Sequence, residues 1–267
     1  MYGVCHLSIV PIRSKPSDAS EMVSQLLFGE TFKILEKRRK WLHIQCSYDD
    51  YTGWIDSKQY QPLEEKTFHT MQKHCAYTLE LSDVAVGKTH FIPLVMGSTL
   101  PNCDGINFKF NQTRFTYSGR LINPKAIDIN IDILLKIANR FLNAPYLWGG
   151  RSPFGIDCSG FTQSVFKMIG IPLKRDSSQQ VHQGETVDFF DKARAGDLAF
   201  FENPKGKIVH VGIIIPDNQI IHASGQVRID SLDATGIYNQ DRRKYTHKLR
   251  IIKRFLSDSA FPYSLED

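Results

Sequence analysis

Cys158, His210 and His222 are the residues of this 267-residue chain whose types and surroundings suit covalent chemistry. Asp157-Cys158-Ser159-Gly160-Phe161 follows the turn-rich run Gly149-Gly150-Arg151-Ser152-Pro153-Phe154-Gly155 and opens a stripe of Phe161, Val165, Phe166 and Ile169 at helical spacing. The thiol therefore falls at or near a helix N-terminus, where unpaired N–H groups and the helix dipole favour an anion. The thiolate is the reactive form of cysteine, and such a position is expected to lower its pKa. The same N–H groups suit the oxyanion of an acyl-transfer intermediate. A structural cysteine opening a helix would show the same local pattern, so the histidines decide between the two.

His210 lies inside Ile208-Val209-His210-Val211-Gly212-Ile213 and His222 inside Ile220-Ile221-His222-Ala223-Ser224. Both runs read as strands, and Asp217-Asn218 marks the turn of a hairpin joining them. A histidine buried in a strand needs partners for its nitrogens. Two on neighbouring strands can lie side by side, one as base to the thiol and the other holding the first ring in the right tautomer. The rival reading makes Cys158, His210 and His222 zinc ligands. It ranks lower, because no fourth ligand is evident and a helix start suits a nucleophile. No metal or other cofactor is expected.

These residues must be positioned by a sizeable fold. Hydrophobic residues make up 42% of the chain and charged ones 23%, enough for an ordinary globular core. The net charge of +5 comes without a basic helix or zinc-finger spacing, so nucleic acid is not an expected partner. Cys5, Cys46, Cys75 and Cys103 are scattered without a C-x-x-C pair and read as small buried residues. No apolar run approaches the ~18 residues that span a bilayer. Met1 to Lys15 lacks the pattern of a secretory signal, so a cytoplasmic location is expected, a periplasmic or exported one being the alternative.

Short strands separated by turns fill residues 1–62: Gln25 to Phe28, the Gly29-Glu30 turn, Thr31 to Leu35, Leu42 to Cys46, and Tyr51-Thr52-Gly53-Trp54. Their even spacing predicts a small barrel. A fainter copy follows, with Gly97-Ser98-Thr99 matching Gly29-Glu30-Thr31 and Tyr117-Ser118-Gly119-Arg120 matching Tyr51 to Trp54. The expected division is a first barrel over 1–62, a second over 63–124 with a boundary near Pro62 to Lys66, a catalytic domain over 125–257 and a tail over 258–267. From Asn123 the texture changes to helices over Ile127 to Leu142 and Cys158 to Gly170. Strands follow over Asp197 to Phe201, Ile208 to Ile215, Gln219 to Ala223, Val227 to Leu232 and Lys248 to Phe255. Helices first and an antiparallel sheet after is an α+β plan.

Tyr146-x-Trp148-Gly149-Gly150, Asp157-Cys158-Ser159-Gly160-Phe161, Gly196-Asp197-Leu198-x-Phe200-Phe201, His210-Val211-Gly212-Ile213 and Ile221-His222-Ala223 occur in an order that resembles the NlpC/P60 cysteine peptidases. The resemblance covers about half the chain, Asp128 to Leu256. It implies a papain-like catalytic domain with Cys158 as nucleophile, His210 as base, His222 as its orienting partner and Tyr146 supporting the thiolate or oxyanion. The chain is most similar to the branch carrying two bacterial SH3-like barrels before that domain, which releases L-Ala-γ-D-Glu from the free N-terminus of short muropeptides. L-Ala-γ-D-Glu-L-Lys and its meso-diaminopimelate counterpart are then the expected substrates, and a monomer the expected state. Arg175-Asp176-Ser177 resembles that branch's motif, in which the aspartate pairs with the substrate's α-amine and the serine contacts substrate. Arg175, Ser159 and Trp148 join the expected substrate-contacting set. Glu21 and Tyr51 are the candidates from the first barrel for closing the amine pocket. Arg120 stands where the first barrel has Trp54, so the second barrel is given no binding role.

Asp176 or Ser177 also suits a helix cap before Gln179-Gln180-Val181, and Tyr51 and Trp54 suit packing. Two other functions stand beside the recycling peptidase. One is an endopeptidase remodelling intact wall, its barrels acting as anchors. The other is a non-catalytic wall-peptide binding protein, for which Cys158→Ala would cost nothing.

Overall fold

In the computed structural model the described residues are 1–73 and 75–261, so 262–267 of the expected C-terminal tail lie outside them. Two compact units emerge, one comprising Met1–Ala126 with Trp148–Gly155 and the other Ile127–Leu147 with the chain from Ile156 onward.

The first unit opens with β1 (Tyr2–Val4), β2 (Ile9–Arg13), β3 (Met22–Leu27), β4 (Thr31–Arg38), β5 (Trp41–Cys46), β6 (Thr52–Asp56) and β7 (Gln61–Leu63). They form one antiparallel sheet in the order β3-β2-β6-β5-β4-β1-β7. Alternation sets the faces: Val10 and Ile12 of β2 point inward with Leu26, Phe32, Leu42, Ile44 and Ile55, while their neighbours meet solvent. Each such side chain contributes roughly 1.5–3 kcal/mol by leaving water.

The stretch Pro62 to Lys66, read as a boundary, is structured. Pro62 pairs with Gly3 across β1 and β7, and helix α1 (Glu65–Lys73) follows at once. Phe68 and Met71, one turn apart, are its buried residues, and Phe68 stacks on Tyr2 with ring centroids 4.1 Å apart. Two apolar positions in a polar helix were too few to show as a period.

Next come β8 (Cys75–Thr78), β9 (Ser82–Gly87), β10 (Phe91–Val95), β11 (Thr99–Pro101), β12 (Asn107–Phe110), β13 (Thr113–Thr116) and β14 (Leu121–Ile122). They make a four-stranded sheet, β10-β9-β13-β12, and a three-stranded one, β11-β8-β14. Phe108 and Phe115 stack in their core, which also takes in Phe28 from the first barrel. The two turns matched in the sequence share a geometry. Gly29 and Gly97 both adopt positive φ, at 79° and 86°. In each case the following N–H returns to the carbonyl three residues back, Glu30 to Leu27 and Ser98 to Val95. The second correspondence is looser: Trp54 is packed under His43, whereas Arg120 pairs with Glu80 at the surface.

β15 (Arg151–Ser152) closes the first unit's share of the chain, and β16 (Gly155–Ile156) leads into the second. The second unit holds α2 (Ile131–Asn139), α3 (Cys158–Met168), α4 (Ser177–Gln180), β17 (Glu185–Val187), β18 (Leu198–Glu202), β19 (Ile208–Ile215), β20 (Gln219–Ser224), β21 (Gln226–Leu232), β22 (Gly236–Asn239) and β23 (Lys244–Arg254). Its sheet runs β17-β23-β18-β19-β20-β21-β22, and β22 pairs back onto β23, so six strands close on themselves. This is the α+β plan read from the sequence. The apolar stripe of α3 predicted one buried face, yet every residue from Cys158 to Met168 is buried. α2 covers one side and β19 and β20 the other, so the polar members must find partners inside. Gln163 Nε2 donates to the Leu173 carbonyl at 3.0 Å, and Thr162 Oγ1 to Gln180 Oε1 at 2.9 Å. Among the described residues, no helix is long and apolar enough to cross a membrane.

Candidate functional site

The start of α3 is built by Asp157. Its backbone is extended (φ −94°, ψ 174°), and its Oδ1 accepts the Gly160 N–H at 2.7 Å as an N-cap. Cys158 is therefore the first helical residue. Arg175, 1% exposed, clamps the same carboxylate through two nitrogens, Nη1 to Oδ1 at 3.0 Å and Nη2 to Oδ2 at 2.7 Å, and reaches Ser159 Oγ at 3.0 Å. Arg175 and Ser159 were expected to contact substrate. Here their polar groups turn into the protein and hold the cap beneath the cysteine. Gln180, fully buried, ties the next helix to this one by donating to the carbonyls of Ser159 and Lys174. Asp176 is thereby fixed as the N-cap of α4, its N–H donating to Gln179 Oε1, with its side chain and that of Ser177 half-buried.

The thiol is not the lowered-pKa group that its helix position alone predicts. Burial, then the Asp157 carboxylate, pushes Cys158 up to about 12, against the Val211 N–H, the Arg175 guanidinium and the Ser159 N–H pulling down. The Val211 N–H aimed at the sulfur places the thiol against β19, one residue from His210. Burial and the neighbouring Cys158 and Asp157 likewise push the half-buried Tyr146 phenol up to about 12.

The histidines meet through strand register. Gly212 lies opposite His222, so His210, two residues along β19, is the diagonal neighbour of His222 on the same face. His210 Nε2 and His222 Nδ1 are 2.8 Å apart, and both rings are buried. His222 Nε2 then reaches Asp230 Oδ2 at 3.0 Å. Asp230 faces Ile220 across β20 and β21, a second diagonal of the same kind. Burial alone would raise the Asp230 carboxyl, but His222 and Arg228 hold it below the ordinary carboxylate range. Arg228 Nη2 donates to its Oδ1 at 2.8 Å, and Asn239 Nδ2 lies 3.2 and 3.3 Å from its two oxygens. His247 of β23 stacks on His210 with centroids 4.1 Å apart. Burial first, then the His222 and His247 rings, lower the His210 pKa well below its usual value. Both shifts favour the uncharged forms of thiol and imidazole.

The expected residues of the first unit are placed as follows. Glu21 is exposed, and its Oε1 accepts the indole N–H of Trp148 at 2.7 Å. Tyr51 is half-buried against the barrel core. Gly149, at φ 76°, lets the Trp148 to Arg151 strap lie on β3, since a Cβ there would stand 2.4 Å from the Met22 carbonyl oxygen. Arg151 completes the strap through buried pairings with Glu30 and Gln25. Among the described residues, no three His, Cys, Asp or Glu side chains are grouped to hold a metal ion.

A sequence profile of the NlpC/P60 family matches residues 143–246, and one of the bacterial dipeptidyl-peptidase SH3 domain matches residues 12–59. A gamma-D-glutamyl-L-lysine dipeptidyl-peptidase of Bacillus cereus is 30% identical over 249 residues, 82% of this chain and 73% of that protein. The chain belongs to the NlpC/P60 family. Dipeptidyl-peptidase 6 of Lysinibacillus sphaericus is 25% identical over 258 residues, covering 85% of this chain and 91% of its own. The crystal structure of an NlpC/P60 family protein from Bacillus cereus shares the fold, with a TM-score of 0.83 at 21% identity over 96% of this chain and all of that one.

For this NlpC/P60 peptidase, reading the sequence missed Asp230, Arg228, Asn239 and His247. The available signal for Asp230 was an acidic residue within the apolar alternation of Val227 to Leu232, eight residues past His222. An acid at a buried strand position requires a partner, and a histidine on the preceding strand is the obvious one. Asn239 and His247 lie on strands with no comparable periodicity, one of them only four residues long.

Proposed function

We propose that this peptidase hydrolyses the γ-D-Glu–diamino acid bond of peptidoglycan-derived peptides, releasing L-Ala-γ-D-Glu from substrates with a free N-terminus, as a cytoplasmic step in recycling wall peptides. The observation that carries the reading is the His210–His222–Asp230 line together with a thiol on the first residue of a helix that takes the N–H of Val211, the residue after His210. His210 Nε2 is engaged with His222, which leaves Nδ1 to take the thiol proton as sulfur attacks the γ-carbonyl. The α3 N–H groups at the cysteine suit the developing oxyanion, with the Tyr146 hydroxyl as a further donor. Collapse of the intermediate passes the proton from His210 to the leaving amine, and water attacks the thioester with His210 again as base. Burial disfavours the free thiolate, which supports proton transfer to His210 in the same step as the attack.

Two features support the dipeptidyl specificity. The B. cereus relative carries that activity in its name, and Asp176 presents a half-buried carboxylate at the cap of a helix tied by Gln180 to α3. An anionic side chain there selects a free ammonium over an acetylated one. The test offers purified protein L-Ala-γ-D-Glu-L-Lys, its meso-diaminopimelate counterpart, and the N-acetylated forms of both. Cutting of the free peptides alone, lost in Cys158→Ala, is the expected result. Equal cutting of acetylated peptide would replace the reading by a wall endopeptidase, and undiminished function of Cys158→Ala by a binding protein.

A further inference from the structure

We infer that Asp230 is a positioning residue that fixes the tautomers of both His222 and His210, and so decides which nitrogen of His210 faces the thiol. The inference rests on the reading of Cys158 and His210 as nucleophile and base. An ionised carboxylate only accepts hydrogen bonds, so His222 Nε2, 3.0 Å from Asp230 Oδ2, carries a hydrogen. The imidazole tautomer with its hydrogen on Nε2 has its lone pair on Nδ1. At 2.8 Å from that lone pair, His210 Nε2 must donate. The one lone pair left on His210 is on Nδ1. A proton acceptor is thus specified from two residues away, through a chain in which each link dictates the next.

The donors around Asp230 make this testable in an unusual way. Arg228 Nη2 donates to Oδ1 at 2.8 Å, while Asn239 Nδ2 is shared between the two oxygens, at 3.2 Å from Oδ1 and 3.3 Å from Oδ2. Arg228 Nε also lies 2.8 Å from Oδ2, but it is not aligned as a donor to it. In Asp230→Asn the amide oxygen is therefore drawn to the Oδ1 place, and the NH2 falls at Oδ2, facing His222 Nε2. A donor there requires a lone pair on His222 Nε2, which puts hydrogen on His222 Nδ1 and, in turn, on His210 Nδ1. The base then meets the thiol with an N–H. Asp230→Ala removes the carboxylate without imposing any tautomer. The conservative replacement is consequently the more damaging one, the reverse of what a packing role predicts.

The experiment measures kcat and KM on L-Ala-γ-D-Glu-L-Lys for wild type, Cys158→Ala, Asp230→Asn and Asp230→Ala. It is joined by two-bond nitrogen–proton spectra of the 15N-labelled wild type, with the His210 signals assigned by their loss in His210→Ala. The expected results are a kcat reduced about 10³- to 10⁴-fold in Asp230→Asn and about 10- to 100-fold in Asp230→Ala. KM should stay within about threefold, because Asp230 does not touch substrate. Wild-type His210 should be protonated on Nε2. An Asn variant as active as the Ala variant, or His210 protonated on Nδ1 in the wild type, overturns the inference while Cys158→Ala stays inactive. Activity retained by Cys158→Ala sinks instead the reading of the site on which it rests. The wild-type spectrum needs no variant to fold.

Discussion

Gly212 on β19 lies directly opposite His222 on β20, and a Cβ added to it would stand 2.8 Å from the His222 Cβ and 2.7 Å from Ile220 Cδ1. The glycine is there for space, since its φ is not positive. Without a side chain at this point, the His222 ring can lean along the diagonal to His210. Gly212→Ala should displace the ring and break the 2.8 Å contact. The overpacking costs about 1–3 kcal/mol, and the misplacement lowers kcat on the order of 10²-fold. Thermal melts and steady-state rates on L-Ala-γ-D-Glu-L-Lys would show both. An unchanged kcat would mean that the histidine contact is not part of the machinery.

The protonation states set a pH signature. Folding holds Cys158 up near 12, whereas an unfolded thiol ionises near ~8.5. Between those values the unfolded chain binds fewer protons than the native one, so stability falls as pH rises, by up to about 1.4 kcal/mol per unit. His210 works at the other end. Its native pKa lies well below 6.5, so beneath that pH the unfolded chain binds the extra proton and stability falls as pH drops. Burial raises the Cys5 and Cys46 thiols as well, so Cys158→Ala should make the alkaline decline in urea midpoints shallower by one thiol's share and leave the acid one intact. Alkylation of Cys158 by iodoacetamide, followed by peptide mass, should keep rising from pH 6 to 9. A plateau across that range would reveal a preformed thiolate–imidazolium pair and contradict the uncharged forms that burial favours.

Arg175 holds the cap of α3 from the inside. Replacing it with methionine keeps much of the stem but leaves the buried Asp157 carboxylate without its bidentate partner. Removing one member of such a pair costs about 3–5 kcal/mol. Arg175→Met should lower the urea midpoint accordingly, and Asp157→Asn/Arg175→Met should recover part of the loss. A midpoint within about 0.5 kcal/mol of wild type would show that the pair is a surface-like contact despite its burial.

Much of this architecture was legible because it repeats a period. The alternation in β4 and β5 and the flanks of His210 and His222 gave their strands, and the run from Phe161 to Ile169 gave α3. Asp217 and Asn218, read as a turn, both adopt positive φ, at 62° and 53°. What escaped depends on three-dimensional neighbours. α1 shows only Phe68 and Met71 to its core, and the pairing of β22 with β23 that closes the sheet joins strands of different length through a bulge. The thiol's state escaped for the same reason. A helix start argues for an anion, but α3 is buried all round, and desolvation beside Asp157 outweighs the N–H groups that favour charge. Arg175 was grouped with the substrate contacts through its motif neighbours Asp176 and Ser177, whereas a charged side chain at 1% exposure needs partners within the protein, which the Asp157 carboxylate and Ser159 hydroxyl supply.

Asp176 offers the cleanest separation of specificity from stability. It caps α4 with extended backbone, φ −95° and ψ 143°, and asparagine caps a helix about as well as aspartate. Asp176→Asn should therefore melt close to wild type. If its carboxylate receives the substrate's α-ammonium, the substitution removes a charge-assisted hydrogen bond worth about 1.5–3 kcal/mol. That corresponds to a loss of about 10- to 150-fold in kcat/KM on L-Ala-γ-D-Glu-L-Lys. The N-acetylated peptide carries no ammonium, so its slow turnover should be unaffected or should improve. The gap between the two substrates then narrows from one side only. Equal losses on both would assign Asp176 to general architecture, and the amine would have to be recognised elsewhere.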